Sequence, residues 1–232
     1  MTRRVVGVLG GMGPAATWDF CRRLLDATPA DRDQDHLRVL VDCDPSVPDR
    51  NAALAGEGPS PAPRLAAMAR GLERSGAQLL CLPCNAAHAF ADALREATDV
   101  PFVDMIEATV DATLARAPGA SRVALLATTA TLDAGLYAAA FAARGVRVAQ
   151  AGPDARRRMM AAIYDVKRGA PLDCPRAALR ELAAEAVAAG AEALVAACTE
   201  VPLALRQEDV GVPLIASTDA LAAAVVRRAL EP

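Results

Sequence analysis

Gly76-Ala77-Gln78-Leu79-Leu80-Cys81-Leu82-Pro83-Cys84-Asn85-Ala86-Ala87-His88 carries a short apolar run straight into a proline, a cysteine and an asparagine. Leu79 to Leu82 has the length and apolarity of a buried strand. Pro83 closes it, and Asn85 has the side chain of an N-cap for the alanine-rich segment beyond. Cys84 is therefore expected where a strand hands over to a helix. In an open α/β sheet that is the carboxyl edge, where ligands bind. A helix N-terminus also favours a thiolate. A lone cysteine there reads equally as a small buried hydrophobe.

Cys84 has a counterpart. Gly190-Ala191-Glu192-Ala193-Leu194-Val195-Ala196-Ala197-Cys198-Thr199-Glu200-Val201-Pro202 repeats the pattern, with Gly76-Ala77 matching Gly190-Ala191 and Cys84 matching Cys198, both 114 positions on. Beyond the cysteines, Val100-Pro101-Phe102-Val103 leading to Glu107-Ala108 matches Val212-Pro213-Leu214-Ile215 leading to Asp219-Ala220, now 112 positions on. The openings correspond too: Val5-Val6-Gly7-Val8-Leu9-Gly10 resembles Val123-Ala124-Leu125-Leu126-Ala127-Thr128. Three matches in order indicate a duplication of about half the chain rather than a short solenoid repeat. The expected fold class is α/β: two pseudo-symmetric lobes, each a mostly parallel sheet flanked by helices, with a site in the cleft between them. The expected first lobe is 1–103, with the C-terminal helix 216–232 packing back on it, and the second is 104–215.

Composition narrows the function classes. The 232 residues are 53% hydrophobic but only 3% aromatic, so the core is built from Ala, Val and Leu. A net charge of -3 gives no electrostatic case for nucleic acid. No apolar run approaches the ~18 residues of a membrane span, and no signal peptide precedes the first strand. Six cysteines (21, 43, 81, 84, 174 and 198) are read as reduced thiols of a cytoplasmic chain. Cys81 and Cys84 have the spacing of a redox pair, but Cys81 falls inside the strand and Cys198 is then unexplained. Two histidines and dispersed cysteines give no metal-ligand spacing. Of 25 basic side chains only Lys167 is a lysine, a hint that its place wants a compact charge.

Along the chain, Val5 to Leu9 runs into Gly10-Gly11-Met12-Gly13-Pro14, whose backbone at Gly11 and Met12 can approach an anion or simply make a tight turn. The loop lacks the spacing of a dinucleotide fingerprint. Pro14 starts a helix to Leu25. Leu37 to Val41 is a second strand, followed by a turn-rich loop that contains Arg50, either a solvated arginine or one reaching the edge that holds Cys84. Arg64 to Arg74 is an amphipathic helix. His88 could polarise the site or pack in the first turn after Cys84. In the second half, Thr128 and Thr129 stand where the first has its glycine loop. They can bond a ligand carboxylate or cap a helix over 132–144. Further helices are expected over 156–168, ended by Gly169, over 175–189, and over 218–230, capped by Ser217 or Thr218.

Gly10-Gly11-Met12-Gly13-Pro14, Pro48-Asp49-Arg50, Pro83-Cys84-Asn85-x-Ala87-His88, Ile163-Tyr164-Asp165-Val166-Lys167 and Cys198-Thr199-Glu200-Val201-Pro202-Leu203 occur in the order seen in the aspartate/glutamate racemase family. Over nearly its whole length the chain most resembles the aspartate racemase branch. The resemblance implies cofactor-independent racemisation of a small acidic amino acid, with Cys84 and Cys198 catalytic. It also implies that Arg50 and Lys167 hold the substrate carboxylates with Asn85 and Thr199, and that the protein is a homodimer. The chemistry agrees: inverting an α-carbon needs a base on one face and an acid on the other, which two opposed thiols supply. Two departures stand out. Ala86 occupies a place where a hydroxyl residue, commonly threonine, is usual, and Asn51 likewise replaces a threonine. Maleate isomerisation through a covalent cysteine adduct, and non-catalytic amino-acid binding, are the competing readings. A Schiff base on Lys167 is a minor one.

Overall fold

The computed structural model describes residues 3–231, and its element order is that of two consecutive copies of one α/β plan. The first copy runs β1 (Val6–Gly10), α1 (Pro14–Ala27), β2 (Val39–Cys43), α2 (Arg50–Leu54), α3 (Ala62–Arg74), β3 (Leu79–Cys81), α4 (Ala91–Arg95), β4 (Phe102–Val103) and α5 (Met105–Arg116). The second runs β5 (Arg122–Leu126), α6 (Thr129–Asp133), α7 (Leu136–Ala142), β6 (Arg147–Ala149), α8 (Pro153–Lys167), α9 (Asp173–Ala188), β7 (Ala193–Ala196), α10 (Val201–Ala204), β8 (Leu214–Ala216) and α11 (Ser217–Leu230).

Each copy holds one four-stranded sheet, ordered β2-β1-β3-β4 and β6-β5-β7-β8, and every pairing is parallel. Strands buried on both faces must be apolar throughout, which is why β1, β3 and β7 read as unbroken apolar runs rather than alternating ones. Parallel pairing also requires a crossover between neighbours, and the helices supply it. The registers place Val8 between Val41 and Cys81, and Leu125 opposite Val195.

The chain divides into two compact units. One runs to Ala108 and is completed by the stretch from Thr218 on, and the other is Thr109–Ser217. In the first unit, one face of the sheet packs Val6, Val8 and Cys81 against Phe20 and Leu24 of α1 and Leu221, Val225 and Ala229 of α11. The other face packs Leu9 and Leu80 against Leu65, Met68 and Leu72 of α3. In the second unit Leu126, Leu194 and Ala196 pack against Met159 and Ile163 of α8 and Leu179 and Leu182 of α9. Among the described residues no helix is long and apolar enough to cross a membrane.

Some local expectations need correction. The helix expected over 132–144 is two helices, because Gly135 turns left-handed (φ 68°) and breaks the hydrogen-bond ladder between α6 and α7. The second strand lies two residues later than expected, at Val39–Cys43. Asn85 is not an N-cap: its own backbone is helical (φ -60°, ψ -49°), it makes no side-chain cap, and the adjoining segment Ala86–Phe90 is a 3-10 turn. That turn is too short to carry an appreciable macrodipole, so the helix-terminus argument for a Cys84 thiolate loses its support.

Candidate active site

In a sheet ordered 2-1-3-4 the chain reverses direction of winding between the first and third strands, and the loops leaving their carboxyl ends splay apart there. In the first unit those strands are β1 and β3, followed by the Gly11–Met12 loop and by Cys84. In the second they are β5 and β7, followed by Thr128–Thr129 and by Cys198. The duplicated motifs of the sequence thus fall on the switch point of each sheet.

The first unit builds its share around Arg50. Asp49 caps α2 by accepting the Ala52 amide at 2.9 Å, which fixes Arg50 as the first helical residue. The guanidinium then folds back over main-chain oxygens: Nη1 donates to Pro48 O (2.7 Å) and Val47 O (3.1 Å), and Nη2 to Met12 O (3.4 Å). Met12, Val47 and Cys84 are buried in one cluster, so two of the three carbonyls that orient Arg50 belong to residues of the cluster that holds Cys84. Gly11 is held tightly within this arrangement. Its φ is 96°, a Cβ would meet the Asp44 backbone at 2.3 Å, and its amide donates to the Thr17 hydroxyl at 2.9 Å. The amide expected to approach an anion makes this internal bond. Met12 presents its carbonyl to Arg50.

His88 is buried, and the position of its ring is set by two bonds. Nδ1 lies 2.9 Å from Cys84 O, while Nε2 accepts the Met105 amide at 3.1 Å, which makes Nδ1 the protonated nitrogen. Burial pushes its pKa below the ordinary value, with the Asp104 charge opposing. His88 is therefore a neutral strut that ties the Cys84 carbonyl to the start of α5. Ala86 is buried beside it.

The second unit is arranged differently. Cys198, Thr199 and Glu200 are all buried, and the Glu200 carboxylate gathers three donors. Lys167 Nζ reaches Oε1 at 2.7 Å, and the Cys198 thiol and Thr199 hydroxyl reach Oε2 at 3.1 and 3.2 Å. Burial pushes the Cys198 thiol well above the ordinary thiol range. The Glu200 charge pushes the same way and Lys167 opposes it. Lys167, expected from the family resemblance to hold a substrate carboxylate, is already ion-paired to a carboxylate of the chain itself. Glu200 is the residue that reading by motif missed. It stands inside Cys198-Thr199-Glu200-Val201-Pro202, and the signal was an acid in an otherwise apolar stretch. Thr128 caps α6, accepting the Thr131 amide at 3.2 Å, and the Thr129 amide lies 3.3 Å from the Met160 sulfur. Asn85 is buried next to Cys84.

Comparison with known proteins agrees with this plan. The model of the Asp/Glu/Hydantoin racemase family matches residues 9–225. Similar solved structures include an aspartate racemase of Picrophilus torridus, 30% identical, covering 97% of this chain and 94% of that one with a TM-score of 0.83. An aspartate racemase homologue of Pyrococcus horikoshii shares the fold at 22% identity, covering 98% of this chain and 100% of the other with a TM-score of 0.78. A broad-specificity amino-acid racemase of Bacillus subtilis is 25% identical over 240 residues, 96% of either chain.

Proposed function

The chain belongs to the Asp/Glu/Hydantoin racemase family and is an isomerase acting on amino acids, and from that premise we propose that it interconverts L- and D-aspartate without a cofactor. In this reading Cys84 and Cys198 are the two acid/base groups. The observation that carries it is the placement of one buried cysteine after the third strand of each sheet, at corresponding switch points. One thiolate removes the α-proton, the opposite thiol returns one, and the two exchange roles when the reaction runs backward. Arg50 presents a charge already oriented by three carbonyls, which suits a carboxylate at little further entropic cost. Asn85, next to Cys84 in sequence, is the polar contact for the α-carboxylate, whose charge grows as the proton leaves, and the Thr199 hydroxyl joins it on turning from Glu200 to the substrate. Met12 stands on the loop that leaves the first strand of one sheet, and Thr129 opens the helix that follows the first strand of the other.

Incubating the protein with L- and D-aspartate in D2O tests the reading, using chiral separation and mass analysis. Wild-type protein should label the α-carbon from either enantiomer, and Cys84→Ser and Cys198→Ser should each lose racemisation by orders of magnitude. Racemisation near wild-type rates in either variant would refute the two-thiol mechanism. A stable succinyl adduct on a cysteine formed from maleate would replace it with the isomerase reading. Tight aspartate binding without exchange would replace it with a binding protein.

A further inference from the structure

Glu200 is an unusual neighbour for an acid/base cysteine. Its carboxylate is 4% exposed, and it takes the Cys198 S–H on one oxygen and Lys167 on the other. The groups that set the charge around the thiol come from two elements, and a third carries an arginine engaged elsewhere. Glu200 lies in the turn after β7, and Lys167 is the last residue of α8. From α9, the other helix packed on α10, Arg176 donates its Nε to Ala204 O at 2.9 Å. We propose that Glu200 is a positioning residue that holds Cys198 as a thiol with its S–H bond aimed at the carboxylate, so that Cys198 rests as the proton-donating member of the pair and Lys167 sets how firmly that proton is held. This deepens the racemase reading and rests on it.

The geometry leaves the sulfur few other states. A thiolate at Cys198 would stand 3.1 Å from a carboxylate oxygen in a buried site, a like-charge contact that the thiol proton removes. Lys167, on the other oxygen of the same carboxylate, opposes that like-charge contact. In the forward step the Cys84 thiolate takes the α-proton and becomes a thiol. The Cys198 S–H bond breaks toward the carbanion, and its electrons stay on sulfur. Exchange with water afterwards returns a proton to Cys198 and removes one from Cys84, so the cycle balances. Thr199 on the same carboxylate oxygen holds that oxygen in place.

The test is a site-resolved titration. Cysteine labelled with 13C at Cβ reports thiol ionisation by chemical shift at Cys198, assigned by its loss in Cys198→Ser. Glu200→Gln keeps the shape of the side chain and removes the charge. It should lower the pH at which Cys198 ionises by about 1–3 units, and Lys167→Gln should raise it. The alkaline limb of the pH profile of kcat/KM should move the same way in each variant, a displacement that loss of packing would not produce, and Glu200→Asp should return it toward wild type. An unmoved or raised ionisation in Glu200→Gln, or a lowered one in Lys167→Gln, overturns the proposal. If either variant does not fold, the sign in the other decides. The titration needs no substrate: displaced ionisation in a protein that does not racemise aspartate would fail the racemase reading alone.

Discussion

Replacing Lys167 by methionine should cost stability, and the size can be worked from the structure. The ammonium sits 2.7 Å from a carboxylate that is 4% exposed. Deleting one partner of a buried pair leaves the other charge uncompensated, at about 3–5 kcal/mol. Glu200 keeps the Cys198 and Thr199 donors, so the lower end applies, about 3 kcal/mol. For a chain of this length each kcal/mol shifts Tm by about 2–4 °C, so Lys167→Met should melt roughly 6–12 °C below wild type. Far-ultraviolet circular dichroism during heating, with urea unfolding alongside, gives both numbers. The double variant Lys167→Met/Glu200→Leu removes the stranded charge as well and should recover at least half of the loss, since apolar replacement of a buried pair is often close to neutral. A single variant that melts with wild type, or a double variant that melts below the single, would refute the view that the Lys167–Glu200 pair stabilises the fold.

Arg50→Lys should raise KM for aspartate about ten- to a hundredfold, because a point charge cannot bond three carbonyls and still present a planar fork; steady-state kinetics with unchanged KM would contradict this. Ala86→Thr adds a hydroxyl next to Asn85 and should raise kcat on aspartate, whereas loss on both aspartate and glutamate with the fold intact would mean that the site has a different shape and substrate. His88 has a lowered folded pKa, so the unfolded chain binds its proton first. Stability should be level above about pH 6.5 and fall as pH drops from there toward the lowered folded value, and His88→Gln should flatten that slope in urea titrations from pH 8 to 5.

The architecture was legible because duplication and periodicity are written in residue order. Val5 to Gly10 and its counterpart at Val123 become β1 and β5, the two cysteine runs become β3 and β7, and the two Val-Pro pairs lead into β4 and β8. The half of the site that depends on side-chain direction was not legible. Arg50 is held by carbonyls, which every residue possesses, so no motif announces the cradle. Gly11 has its amide taken by Thr17, six residues on, a bond that depends on how α1 is placed. Asn85 has the composition of a cap but not the extended backbone that capping requires. Glu200 was visible as a letter, yet only the arrival of Lys167 from α8 and of the adjacent thiol gives it a role.

The last helix has a consequence for the order in which the chain can be completed during synthesis. Leu221, Val225 and Ala229 of α11 belong to the same apolar layer as Val6 and Phe20, and the Arg4 amide donates to Ala229 O at 3.0 Å. The unit that emerges first from the ribosome therefore lacks one wall of its interior until α11 is made. Thr109–Ser217 is contiguous and has all its partners within one stretch. At ribosomal rates the earlier unit waits on the order of ten seconds with β1 and α1 partly uncovered. The unit translated second is the one able to finish first, and a transcript truncated before Thr218 would release a chain with one closed unit and one open.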